Sequence, residues 1–179
     1  MKVFLSLLLV VLMSSAALAG DFSVSTRSLG ADGVVHATNI FDGCGGENLS
    51  PELEWRGAPA GTKSFAVTIY DPDAPTGSGW WHWTLFNLPP SVSQLAEGAS
   101  LNSAKLPQGA VEGMNDFGKP GYGGPCPPAG DKPHRYVMTV YALKVARLDL
   151  GPTASGAMVG FHIRQNMLAS ASVTGIYGR

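Results

Sequence analysis

The chain has 179 residues, of which 12 are basic and 13 acidic. It has no basic run interleaved with aromatics, which excludes a nucleic-acid partner drawn in by a general positive field, and no polybasic patch to hold an anionic membrane. Any anion must therefore be caught by local geometry, in a single domain long enough to bury a sizeable core.

Residues 1–19 read as a signal peptide. Lys2 supplies a positive start, Val3 to Met13 an apolar run, and Ala17-Leu18-Ala19 a small-residue cleavage site. The run is too short to span a bilayer as a helix, and nothing later is longer. The expectation is one domain over residues 20–179, in the periplasm or secreted, with no transmembrane segment in the mature chain. Removing Lys2 leaves 11 basic residues against the 13 acidic ones, a net charge of −2. The two cysteines, Cys44 and Cys126, both lie in the mature region, and an even count in an exported chain predicts one disulfide. Neither has a CxxC partner, and two cysteines alone make a poor metal site.

Strand signals follow in chain order at Phe22–Thr26, Glu52–Trp55, Ser64–Tyr70, Trp81–Asn87 and Tyr136–Leu143, the later ones rich in β-branched and aromatic residues. Glycine- and proline-rich connections separate them, and Asn115 to Lys132 forms a loop long enough to suggest function. Near the C-terminus Ser155 is placed to cap a helix in which Met158, Phe161, Gln165 and Leu168 fall close to helical spacing. His162 lies in that segment and is given no role. The fold predicted is mainly β, with antiparallel sheets and one helix packed on a side.

The polar residues that stand out are at strand ends. In Phe65-Ala-Val-Thr-Ile-Tyr-Asp71 the odd positions Phe65, Val67 and Ile69 make an apolar face, and Asp71 continues it until Pro72 stops the ladder. Asp73, between prolines, is less constrained. In the next strand His82 alternates with Trp81 and Trp83, so either the histidine or the tryptophan pair faces inward. The plain reading of His82 is a core histidine bonded to Asp71 or Asp73. His134 and Tyr136 start the last strand on one face, after a loop containing Gly123, Gly124, Pro125, Pro127 and Pro128. Together these make a small polar pocket in an apolar wall.

The motifs DPDAP, GSGWWHW, GPCPP and PHRY, in this order, resemble those of the phosphatidylethanolamine-binding protein family, which includes Raf kinase inhibitor protein, and most of all its bacterial Raf-kinase-inhibitor-like branch. The resemblance runs from about Phe22 to Tyr177. It implies a large antiparallel sheet packed on a smaller one with C-terminal helical structure. It also implies a shallow pocket for phosphate, acetate or a phospholipid headgroup, built from Asp71, Asp73, His82, His134 and Tyr136 with Gly124 and Cys126 of the loop. Cys126 stands where animal members have glycine before the paired prolines, and through Cys44 it would stiffen the loop. The segment that closes the pocket in animal members has no counterpart beyond Ile176 to Arg179.

The chemistry expected is that Asp71 and Asp73 orient and charge the histidines, which then donate to the anion with Tyr136 and loop N–H groups. The leading function is an exported module that binds a small phosphate-bearing or other anionic ligand, without cofactor. A protein partner and a homodimer are left open. The alternatives are a protein inhibitor acting through its surface and a hydrolase using the Asp/His pair, although no G-x-S-x-G elbow is present. Metal binding by Asp71, Asp73, His82 and His134 suits the residue types but not the spacing of common zinc motifs.

Overall fold

The computed structural model describes residues 21–179, and the signal-peptide reading of 1–19 lies outside them. A small antiparallel sheet holds β1 (Ser23–Ser25), β2 (Leu53–Arg56) and β5 (Gln94–Leu95) in the order β1-β2-β5. A large one holds β3 (Ser64–Asp71), β4 (Trp80–Leu88), β6 (Val111–Glu112), β7 (His134–Leu143) and β8 (Met167–Tyr177) in the order β6-β4-β3-β7-β8. Among the described residues one α-helix, α1 (Gly156–Asn166), precedes β8. The mainly β architecture with a C-terminal helix is the one expected.

Burying apolar surface at roughly 25 cal/mol per Å² holds the layers together. Leu53, Trp55 and Leu95 of the small sheet meet Phe65, Val67, Ile69, Trp83, Leu85, Met138 and Val140 of the large one. The face of Phe65, Val67 and Ile69 is thus the inner face, as their alternation predicts. The other face of β3 is buried too, because α1 lies over it. Ala66, Phe86 and Leu143 pack there with Val159 and Ile163 of the helix. β3 is central and covered on both sides.

Two details depart from the sequence reading. Ser155 does cap α1, accepting from the Met158 N–H at 3.3 Å, but the helix buries a different face. Met158 and Phe161 are 48 % and 56 % exposed, Gln165 is exposed, and the buried positions are Gly156, Val159 and Ile163. The cause is Trp81, whose ring lies flat on Gly156 and reaches Gly160. Glycines mark the contact because only a bare backbone admits the indole so closely. Leu168 is not helical at all but belongs to β8, a strand that its small residues Ala169, Ser170, Ala171 and Ser172 do not announce. β8 forms because it pairs with the whole of β7, from His134↔Tyr177 to Leu143↔Met167, and tertiary pairing overrides local propensity.

The glycine contact makes a paired prediction. Alanine favours a helix over glycine by up to about 1 kcal/mol. A Cβ at Gly156 would lie 2.2 Å from Trp81 Cγ, whereas at Gly160 the closest indole atom is 3.4 Å away. Gly156→Ala should therefore lower the urea midpoint, by about 1–3 kcal/mol of overpacking strain. Gly160→Ala should leave the midpoint unchanged or raise it.

Candidate functional site

A β-bulge decides which side chains of the GWWHW segment meet. Ile69 pairs with Trp83 and Tyr70 with Trp81, so His82 is the extra residue on β4. Regular alternation puts Trp81 and Trp83 on one face with His82 on the other. The bulge breaks that either-or expectation. Trp83 is buried between the sheets, Trp81 packs on Tyr70 on the outer face with centroids 4.6 Å apart, and His82 points inward beside Tyr136 at 5.1 Å.

Asp71 ends β3 on the inner face as predicted, 3 % exposed. One oxygen accepts from the N–H groups of Asp73 (2.8 Å) and Ala74 (3.1 Å) and so holds the DPDAP turn. The other accepts from Nδ1 of His134 at 2.7 Å. Asp73 behaves differently. It accepts from the backbone N–H of Arg135 (2.9 Å), from Nε (2.9 Å) and from a terminal guanidinium nitrogen (2.7 Å). Those hydrogen bonds hold its carboxyl down at about 2. Alternation on β7 explains the split, since His134 and Tyr136 face in and Arg135 faces out, drawing Asp73 with it. Asp73 does not line the pocket, which corrects the expectation.

His82 is also differently held from either alternative above. Its Nδ1 donates to the Gly123 carbonyl at 2.6 Å rather than to Asp71 or Asp73, and among the described residues no side-chain hydrogen bond is made by Nε2. Burial is the largest influence and pushes the imidazole down to about 4, against the carbonyl of Gly123 and the charge of Asp71, which act to raise it. The carboxylates therefore do not charge His82. Desolvation wins.

Tyr136 is 1 % exposed, and its hydroxyl has no hydrogen-bond partner among the described residues. Burial, and then the charge of Asp71, raise its pKa, so it stays a donor at ordinary pH. Gly124 turns out to be structural. Its N–H donates to Asn48 at 2.7 Å, and a Cβ there would strike the backbone of Asn39 to Phe41. Cys126 does line the pocket and is disulfide-bonded to Cys44, 82 positions earlier in the chain. The chain-entropy model assigns such a closure roughly 4–5 kcal/mol. Within Pro125-Cys126-Pro127-Pro128 only Cys126 carries an N–H. Arg179 steadies the same loop by donating from Nε to the Pro127 carbonyl at 2.7 Å, so the short C-terminal segment does have a part in the rim.

The cavity measures about 330 Å³. The sequence reading missed its aromatic wall. Trp80 lines it with an indole N–H that has no partner among the described residues, and Phe117 from the long loop packs edge-to-face on Trp80 at 5.2 Å. Trp80 was visible as the first aromatic of GWWHW, but nothing local shows that Phe117 stacks on Phe41 and stands opposite. Among the described residues no three His, Cys, Asp or Glu side chains are arranged to hold a metal ion.

The family model described as phosphatidylethanolamine-binding protein matches residues 31–178. The chain belongs to the phosphatidylethanolamine-binding protein family. Within it, the UPF0098 protein YbcL of Escherichia coli (strain K12) is 45 % identical over 180 residues, covering 99 % of this chain and 98 % of its own. The crystal structure of E. coli YbcL, described as a new member of the mammalian PEBP family, matches with a TM-score of 0.86 and 48 % identity, over 89 % of this chain and 99 % of that one. The putative lipoprotein LppC of Mycobacterium tuberculosis (strain ATCC 25618 / H37Rv) is 37 % identical over 134 residues, 75 % of this chain and 62 % of its own.

His82 carries a stability prediction. A base whose folded pKa lies below its ordinary 6.5, here at about 4, binds protons more readily when unfolded. Its contribution is complete above pH 6.5, is lost as pH falls toward about 4, and amounts to on the order of 3 kcal/mol. Urea midpoints taken from pH 7 to pH 4 should fall across that window. The fall should flatten in His82→Asn, whose amide can keep the bond to Gly123.

Proposed function

We propose that this pocket binds a small anion, a phosphate-bearing molecule or headgroup, and that the protein acts by binding in an exported compartment. The observation that carries the reading is the Tyr136 hydroxyl, a buried donor left without a partner at the floor of an apolar cavity. Leaving such a group unmade costs about 1–3 kcal/mol, which an acceptor on a ligand recovers. The indole N–H of Trp80 and the N–H of Cys126 give the same cavity two further neutral donors. Hydrogen bonds to an anion are strong where water is excluded.

The histidines have separate tasks in this reading. Asp71 holds His134 in one orientation and keeps its Nδ1–H turned away from the ligand. His82 offers Nε2 to the anion. A negative ligand raises its pKa from about 4, so proton uptake accompanies binding. Export is supported by the leader, by the Cys44–Cys126 disulfide and by a relative named as a lipoprotein. Intact mass of periplasmic protein should show residues 1–19 removed and two hydrogens fewer than the reduced chain. Two free thiols would count against export.

Glycerophosphoethanolamine, a phosphodiester of fixed charge, is the probe of the pocket. Its affinity in calorimetry should rise as pH falls from 8 to 5.5, by up to about tenfold per unit once below the bound-state pKa of His82. Tyr136→Phe should weaken binding about tenfold or more, the loss expected of a hydrogen bond to a charged group, while leaving the stability of the free protein unchanged or higher. Asp71→Asn should also weaken it by releasing His134, whereas simple repulsion between carboxylate and anion predicts tightening. A pH-independent affinity, or full affinity in Tyr136→Phe, would refute the reading.

A further inference from the structure

The cavity is larger than an anion needs. Its volume of about 330 Å³ falls in the range of roughly 300–1,000 Å³ that takes a whole organic ligand, and a bare phosphate group fills only part of that. Besides the polar groups already described, the wall is formed by Ala74, Pro75, Trp80, Phe117, Pro127 and Pro128. Among the described residues that line it there is no lysine or arginine. Neutral donors therefore hold the anion, and apolar surface has to hold the rest of the ligand.

That wall has no place for an ammonium. Asp71 is the one carboxylate among the described lining residues. One of its oxygens is engaged by the turn and the other by His134. Asp73 lies outside, clamped to Arg135. A primary ammonium entering the cavity would give up its water without gaining a free carboxylate in return.

The two rings of the wall are suited to an aromatic guest. Trp80 and Phe117 are only half-buried, so each keeps apolar surface open to a ligand. Their planes meet at 74° with centroids 5.2 Å apart, and a third ring stacked on one of them stands edge-on to the other. Offset stacking and edge-to-face contact are the two arrangements that aromatic rings prefer. Phe41 lies parallel to Phe117 at 4.6 Å, and Gly123 packs so closely on the rim of Phe117 that a Cβ there would lie 2.5 Å from the ring. The fold itself holds this corner in shape.

We propose that the pocket selects phosphodiesters that carry an uncharged aromatic ring over those that carry an ammonium, with Trp80 and Phe117 as the residues that set the preference. The inference rests on the anion reading above and narrows it. Burial of the ring against this wall supplies the selectivity, and the donors supply the grip on the phosphate.

Methyl phenyl phosphate, dimethyl phosphate and glycerophosphoethanolamine have the same singly charged phosphodiester and differ in what they present to the wall. Calorimetry near pH 6 should find methyl phenyl phosphate bound about tenfold or more tighter than either of the others. Phe117→Leu keeps an apolar side chain in the loop but removes the ring. It should erase most of that advantage while leaving the affinity for dimethyl phosphate unchanged, a control that separates lost selectivity from a damaged pocket. The ranking in the wild type needs no substitution at all. Equal affinity for the three esters, tightest binding of glycerophosphoethanolamine, or a phenyl preference that survives Phe117→Leu would each overturn the inference and leave the anion reading standing. Binding of none of the three would overturn both.

Discussion

A carboxylate taken out of water must find partners, and in this protein Asp71 finds them in the turn that follows it and at His134, 63 positions further along the chain. One oxygen ties down the turn that leaves β3 and the other fixes His134 at the start of β7. A buried acid without both sets of bonds would cost several kcal/mol, so strand end, turn and histidine are positioned as one unit. The neighbouring acid completes the arrangement from outside. Asp73 clamps Arg135, the residue between His134 and Tyr136, and a bidentate pair sets direction as well as distance. Inward His134 and Tyr136 and outward Arg135 follow from one alternation read by two aspartates.

The bulge at His82 is the second constraint. Without it the imidazole would lie on the helix side of the sheet, and Trp81 would lie on the inner side with Trp83. With it, one strand supplies Trp80 and His82 to the cavity, Trp83 to the core and Trp81 to the helix contact. The inward imidazole is stripped of water, and that loss outweighs the attraction of Asp71. The His82 imidazole therefore stays neutral at ordinary pH, its orientation fixed by the bond to Gly123. The loop of Pro125 to Pro128 is held as firmly, with the disulfide anchoring Cys126, Arg179 donating to Pro127, and prolines that fix the backbone.

Much of this was legible along the chain. The inner face of β3, Asp71 at its end, the shared face of His134 and Tyr136, the cap at Ser155 and the disulfide all follow from period-two alternation, turn chemistry and cysteine count. The motifs from DPDAP to PHRY pointed to the family. These are local signals, each contained in a strand, a turn or a pair of residues, and local stereochemistry determines them.

Tertiary structure alone decided the rest. Whether Asp73 enters the pocket depends on a guanidinium 62 positions away. Whether His82 is charged depends on how completely other segments exclude water from it. The side of the helix that is buried depends on an indole from the sheet fitting onto two glycines, and β8 is a strand because β7 offers it a full-length partner. Phe117 becomes a pocket wall only when the long loop folds back onto Phe41. In each case the deciding contact joins residues far apart in the chain, and alternation or propensity within one segment carries no information about which distant group will arrive.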